Sequence, residues 1–233
     1  ELNPTGDVIR SIRGGNISMI FQEPMRAFSP VHTIGNQIME TILLHITKDE
    51  KQARQIAIDT LRAVGIANPE QRVDEYPHQL SGGMRQRAMI AMALSCSPKL
   101  LIADEPTTAL DVTIQAQIMD LLAEIKEETN TSIILITHDL GVVASMADRV
   151  AVMYAGKVVE TGTVEDIFYR SSHPYTQALL KSLPSVDMTK AERLVSIPGT
   201  PPDLIKPPVG CGFGARCTHC MKICHEEQPP VFQ

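Results

Sequence analysis

Four polar side chains follow short apolar runs of the kind that form buried strands. They are Gln22, Asp104, Glu105 and His138. Because the carboxyl ends of parallel strands meet at one edge of an α/β sheet, where ligands bind, we expect these side chains to converge.

The residue types suggest phosphoryl-transfer chemistry. The Asp104 carboxylate and the Gln22 amide suit Mg²⁺, a hard cation that prefers oxygen ligands. Glu105 can orient or deprotonate an attacking water, and the imidazole of His138 can hydrogen-bond a phosphate group. Taken alone, an Asp-Glu pair after four apolar residues is better explained as a solvated strand end.

A second candidate element is the run LSGGMRQR at residues 80–87. Ser81, Gly82 and Gly83 open a predicted helix, whose free N–H groups and dipole attract an anion. The alternative is an ordinary helix cap followed by two loop glycines. Asp111 presents the same choice between a ligand contact and a helix cap.

The predicted elements that position these residues alternate between strand and helix. Strands are expected at residues 17–21, 100–103 and 132–137, with helices near 49–64, 81–96, 112–128, 140–147 and 175–183. Residues 23–48 are expected to be loop and short helix, and residues 149–160 to be a hairpin. The pattern predicts an α/β sheet buried on both faces.

Composition excludes several classes of protein. The 233 residues carry a formal net charge of −6, which argues against a nucleic-acid-binding surface, and 43% of them are hydrophobic. No apolar run approaches the roughly 18 residues that a membrane span needs, and the N-terminus has no signal-peptide pattern.

The motifs occur in the order found in ATP-binding cassette (ABC) ATPases, which residues 8–170 resemble. Gln22 matches the Q-loop, residues 80–84 the signature, residues 100–105 the Walker B motif, residues 109–111 the D-loop and His138 the H-loop. The resemblance implies a nucleotide-binding domain with a mostly parallel sheet core and a helical signature subdomain. It also implies ATPase activity with ATP and Mg²⁺.

In that family two cassettes enclose two nucleotides. The resemblance therefore implies that Ser81 and Gly83 face a partner's ATP, and that the four residues at the strand ends serve this chain's own. Gly82 and Asp111 are further candidates for nucleotide binding. No G-x-x-x-x-G-K-[ST] phosphate loop occurs in these residues. We therefore expect the chain to be a fragment lacking the P-loop and inactive alone, with a longer parent that hydrolyses ATP.

The C-terminal part resembles the peptide-importer branch of the family. The matching segments are SHPYTQALL at 172–180, IPGTPP at 197–202 and GCGFGARC at 210–217. This branch implies uptake of dipeptides or oligopeptides at the cytoplasmic face of the membrane. It implies a second ATPase subunit, two transmembrane permease subunits and an external peptide-binding protein. Residues 28–31 match the segment that meets the permease.

Four of the five cysteines are closely spaced, as C-x5-C-x2-C-x3-C. They are Cys211, Cys217, Cys220 and Cys224. Thiolates at such spacing can hold a [4Fe–4S] cluster or Zn²⁺. In the resembling branch three cysteines match, and Cys220 is then either a substitute fourth ligand or a bystander. A metal-free tail is the remaining alternative.

We expect three parts: a partial ATPase core at 1–22 and 98–170, a helical signature subdomain at 23–97, and a C-terminal extension at 171–233. The leading functional hypothesis is the ATP-hydrolysing subunit of a peptide importer. The alternatives are a non-transport ABC ATPase in DNA repair or translation, and a cassette without a P-loop that depends on a partner for catalysis.

Overall fold

The computed structural model describes residues 6–23, 27–108, 110–183 and 196–230. The chain folds as two units, residues 1–142 and residues 143–233. The expected three-part division stays a prediction. In the described part of the chain, no helix is both long and apolar enough to cross a membrane.

The first unit is built on a parallel sheet. Its strands are β1 (Ile17–Ile20), β2 (Leu100–Asp104) and β3 (Ser132–Ile136), in the order β1-β2-β3. The register pairs Ile20 with Ala103 and Asp104 with Ile136. The three carboxyl ends are therefore nearly level, and the residues that follow them emerge at one edge of the sheet.

In the described part of the chain, several helices accompany this sheet, and some begin at polar side-chain caps. They are α1 (Asp7–Ile12), α2 (Ile34–His45), α3 (Glu50–Ala63), α4 (Pro69–Arg72), α5 (Gly82–Leu94), α6 (Val112–Thr129) and α7 (Leu140–Met146), and the division between the units falls within α7. Thr33 and Asp49 each accept a hydrogen bond from a backbone N–H in the first turn of α2 and α3. The predicted helices of this unit are confirmed to within a few residues.

The expectation of loop and short helix at residues 23–48 is confirmed, whereas that of a sheet buried on both faces was wrong in part. Residues 23–48 contain the 12-residue helix α2, whose Ile34, Ile38 and Ile42 repeat every fourth residue and are fully buried. The sheet is not buried on both faces at β3, where Ile134 is 49% and Ile136 46% exposed. Among the described residues β3 pairs only with β2, so one edge of it remains open.

The second unit begins with a β-hairpin, as predicted. Strands β4 (Arg149–Tyr154) and β5 (Lys157–Thr163) pair antiparallel, and both turn residues, Ala155 and Gly156, have positive φ. Two helices follow, α8 (Val164–Tyr169) and α9 (Pro174–Lys181).

The described tail after α9 is irregular and is held by an arginine. The Arg216 guanidinium donates hydrogen bonds to the carbonyls of Ile197 and Pro198 and to the hydroxyl of Tyr154. Phe213 is buried and packs edge-on against the Tyr154 ring.

Candidate nucleotide-hydrolysis site

Three side chains contact the Glu105 carboxylate at the carboxyl edge of the sheet. Gln22 donates its amide N–H to Oε2 at 2.8 Å, and Thr108 donates its hydroxyl to the same oxygen at 2.7 Å. His138 Nδ1 lies 3.1 Å from Oε1. The expected convergence of Gln22, Glu105 and His138 is therefore present, although Gln22 and Glu105 lie 83 residues apart in the chain.

These contacts favour the ionised form of the Glu105 side chain. The pKa of Glu105 is held below its usual range, chiefly by the Thr108 hydroxyl and then by His138. Burial acts in the opposite direction, and the Gln22 amide adds a smaller lowering. Glu105 is therefore ionised at neutral pH. It can accept a hydrogen bond or a proton from a water placed beside it.

The contact with Glu105 fixes the tautomer of His138. An ionised carboxylate only accepts hydrogen bonds, so Nδ1 of the imidazole carries the proton. The His138 side chain is 79% exposed, whereas that of Glu105 is 23% exposed. The outward nitrogen, Nε2, accepts in the neutral ring and donates to an anion only when the ring is charged.

The backbone of Glu105 is held in a left-handed conformation, with φ of +45°. This region is unfavourable for a residue with a side chain and typically costs about 1–3 kcal/mol, so it persists only where its surroundings enforce it. Here the Glu105 N–H donates to the Ile136 carbonyl of β3 at 2.8 Å, and the Glu105 carbonyl accepts from the Thr108 N–H at 3.1 Å.

Asp104 is the last residue of β2 and directly precedes Glu105. The amide nitrogen of Gln22 is directed to Glu105, so the carbonyl oxygen is the atom of that amide which could bind a cation. A carboxylate and an amide oxygen at neighbouring strand ends are hard donors that fit Mg²⁺.

The signature segment begins α5. The Ser81 hydroxyl oxygen accepts from the Met84 N–H at 3.3 Å, so it caps the helix while its own proton stays available to donate. A Cβ added at Gly83 would approach Ile114 of α6, but a Cβ at Gly82 would meet nothing within 4 Å. Close packing against α6 therefore favours glycine at position 83, whereas no packing contact explains the glycine at position 82.

Asp111 caps α6 by accepting from the Ile114 N–H at 3.0 Å, the alternative that its position in the sequence offered. Its neighbour Ala109, part of the same motif, lies outside the described residues.

Two functional candidates were missed in the sequence. Thr108 bonds Glu105 directly; its spacing of three residues from Glu105 is the signal that could have identified it, as in a hydrogen-bonded turn. Gln86, within the signature helix, is a buried polar residue whose amide donates to the Pro106 carbonyl. No spacing rule connects those two positions.

The four clustered cysteines of the second unit are free thiols. The N–H of Cys211 donates to the Cys224 carbonyl at 2.7 Å, which closes the segment into a loop. The pKa of Cys220 is raised, first by burial and then by the neighbouring thiols. In the described part of the chain, no three His, Cys, Asp or Glu side chains are placed to hold a metal ion.

Comparison with known proteins assigns both parts of the chain. A family model for the ABC transporter matches residues 3–108. A second model, for the oligopeptide/dipeptide transporter C-terminal region, matches residues 159–224. The dimeric, post-hydrolysis ATP-binding cassette MJ0796, bound to ADP and Pi, superposes with a TM-score of 0.60 at 28% identity, covering 68% of this chain and 67% of that one. The expected α/β fold class is thereby confirmed.

Curated relatives place the chain within one branch. It is 55% identical over 97% of its length to the oligopeptide transport ATP-binding protein OppD of Bacillus subtilis (strain 168), of which it spans 63%, a little under two thirds. It is 54% identical over 95% of its length to the dipeptide transport ATP-binding protein DppD of Escherichia coli (strain K12), of which it spans 68%. The chain belongs to the ABC transporter family, and these relatives are ATP-binding proteins of oligopeptide and dipeptide transport.

Proposed function

We propose that the protein is the ATP-hydrolysing motor subunit of an ABC importer that takes up dipeptides or oligopeptides. The observation that carries the proposal is the ionised Glu105 carboxylate, held by Gln22, Thr108 and His138 beside Asp104. The names of the relatives support peptides as the transported solutes.

Each residue of the site has a distinct proposed role. Asp104 and the Gln22 carbonyl oxygen hold Mg²⁺, which when bound neutralises charge on the phosphates of ATP. Glu105 orients the attacking water and accepts its proton. His138 donates from Nε2 to the terminal phosphate, which requires the imidazolium form because Nδ1 is committed to Glu105.

The signature segment is proposed to serve the nucleotide of a second ATPase subunit. The Ser81 hydroxyl and the N–H groups of Gly82 and Gly83 are the donors, and the open space at Gly82 permits close approach of a phosphate. Asp111 contributes by fixing the first turn of α6, next to Gly83.

The proposed membrane contact is the segment 28–31. Phe28 is buried and anchors the segment, the Ser29 N–H donates to Gln37 Oε1 at 2.7 Å, and Val31 is 72% exposed. The support for contact with one of two transmembrane permease subunits is the resemblance of residues 28–31 to the segment that meets the permease. The proposal includes a location at the cytoplasmic face of the membrane, with an external peptide-binding protein as an indirect partner.

For the cysteines we propose a bound [4Fe–4S] cluster, with Zn²⁺ as the alternative. The support is the four-thiol donor set and its spacing. The thiol positions do not by themselves form a metal geometry, so no step of transport is assigned to this group. Iron, zinc and acid-labile sulfide analysis of anaerobically purified protein decides between the cluster, zinc and a metal-free tail.

The test of the function uses the protein as its gene encodes it, reconstituted with its membrane partners in vesicles. ATP hydrolysis and uptake of a radiolabelled tripeptide are measured for the wild type, for Glu105→Gln and for Glu124→Gln, an exposed glutamate of α6. We expect Glu105→Gln to reduce both activities at least 100-fold, in line with loss of a general base, and Glu124→Gln to leave them unchanged. Undiminished steady-state hydrolysis in Glu105→Gln would remove Glu105 from its role, and hydrolysis without peptide uptake would remove peptides as the cargo.

A further inference from the structure

Gln86 is a polar side chain in the interior of the first unit. It lies on α5, is 2% exposed, and donates its amide N–H to the main-chain carbonyl of Pro106. A buried amide needs such a partner, because an unsatisfied one costs about 1–3 kcal/mol. The bond joins the signature helix to the turn that follows β2.

The bonded carbonyl belongs to the residue directly after Glu105. A residue that precedes proline is disfavoured in the right-handed helical region, and Glu105 adopts φ of +45°. Its N–H is bonded to the Ile136 carbonyl of β3. The peptide units around Glu105 are therefore held on one side by a strand and on the other by α5, which together set the direction of its side chain.

A second glutamine shows that this turn is held from two helices. Gln115 of α6 donates to the carbonyl of Thr107, the next residue along, at 3.1 Å. The two helices differ in one respect, since only α5 begins at the signature residues 81–83. A displacement at the start of α5 therefore reaches the carbonyl of Pro106 through a single side chain.

We propose that Gln86 is a positioning residue for Glu105, acting through the Pro106 carbonyl to keep the carboxylate in its hydrolytic orientation and to link it to the signature helix. The inference rests on the proposed role of Glu105 in ATP hydrolysis. Gln86 touches neither nucleotide nor water in this proposal. Its loss should reduce turnover rather than ATP binding.

The test compares Gln86→Met, which keeps the length of the side chain and removes the donor, with Gln117→Met. Gln117 links α6 to α5 through Arg87, away from the Glu105 turn. In the intact protein we expect Gln86→Met to lower kcat about tenfold with KM for ATP within twofold, and Gln117→Met to leave both unchanged. Thermal unfolding of each variant is measured alongside, and Gln86→Ala, which admits water to the carbonyl, replaces Gln86→Met if that variant does not fold.

A double variant separates positioning from general damage. If Gln86 acts through Glu105, Gln86→Met should have no further effect on single-turnover hydrolysis in a Glu105→Gln background. A kcat within twofold of wild type in the single variant, or a loss that adds in full to that of Glu105→Gln, overturns the inference and leaves the proposed function intact. Absence of ATP hydrolysis in the wild type overturns both.

Discussion

The Glu105 site and the cysteine cluster differ in how their side chains are brought together. Gln22, Glu105 and His138 come from three strand ends that are distant in sequence, and they are already joined by hydrogen bonds around one carboxylate. The cysteines lie within residues 211–224, close in sequence, and the other three thiols neighbour that of Cys220, yet no three of them are placed to hold a metal ion.

The difference shows that closeness in sequence is a weaker constraint than register in a sheet. Parallel pairing of β1, β2 and β3 fixes the positions of their ends to within a residue. The cysteine segment instead depends on a few main-chain contacts, such as the bond from the Cys211 N–H to the Cys224 carbonyl. The Glu105 site is therefore organised by the fold itself, whereas the cysteine segment has only local turns to organise it.

The largest expected effect comes from removing the histidine of the organised site. His138→Ala should lower steady-state ATP hydrolysis about 100-fold, because loss of one donor to developing charge typically costs that much. The matched variant from the cysteine segment is His219→Ala, an exposed histidine, and it should leave hydrolysis unchanged. Steady-state kinetics on both variants measure the contrast. A loss from His219→Ala equal to that from His138→Ala would show that the two regions do not differ as argued.

A pair of glycines tests the same comparison with a smaller effect. The methyl group added by Gly82→Ala meets no neighbouring atom, so the unfolding free energy should stay within about 0.5 kcal/mol of the wild-type value. The rate of ATP hydrolysis should fall about tenfold, because this methyl group obstructs the proposed approach of the phosphate. At Gly210 an added Cβ would overlap the Cys224 carbonyl. Gly210→Ala should therefore cost about 1–3 kcal/mol of unfolding free energy.

Denaturant titration gives the unfolding free energy of each glycine variant, and hydrolysis assays give its rate of ATP hydrolysis. The comparison is contradicted if Gly82→Ala is the less stable protein, or if it hydrolyses ATP at the wild-type rate.

The sequence predicted the part of the site that follows from strand ends. Gln22, Glu105 and His138 were expected to meet because each follows an apolar run, and the structure brings them together. Thr108 does not follow an apolar run, so the argument from strand ends does not reach it; its hydroxyl bonds Glu105, whose backbone is left-handed. Patterns of apolar residues carry no information about such a conformation.

Patterns of apolar residues were also limited in what they predicted about the fold. The helices with clear caps and apolar periodicity were predicted with their bounds. For α2 only a short helix somewhere in residues 23–48 was expected, although its isoleucines repeat every fourth residue. The exposure of Ile134 and Ile136 on β3 also could not be inferred, because an apolar run predicts a buried strand whether or not a neighbour pairs with it.

The smallest expected effect concerns Thr108, the residue that sequence reasoning missed. Thr108→Val removes the largest contribution to the lowered pKa of Glu105, so this pKa should rise towards the ordinary glutamate range. The acid limb of the kcat–pH profile should move to higher pH. At neutral pH kcat should fall about fivefold, as expected for a net hydrogen bond worth about 1 kcal/mol. Thr60→Val is the matched control, since Thr60 bonds only a carbonyl of its own helix, α3.

The same bond links pH to stability with a defined sign. Because the pKa of folded Glu105 is lowered, its contribution to stability is present above the unfolded pKa and is lost as the pH falls through the folded one. Thr108→Val should therefore be less stable than wild type at neutral pH, with the gap narrowing under acidic conditions. Thermal unfolding from neutral to acidic pH measures that gap. A gap that is constant with pH would mean that the hydroxyl stabilises the turn without acting on the charge of Glu105, so that the carboxylate is organised by Gln22 and His138 alone.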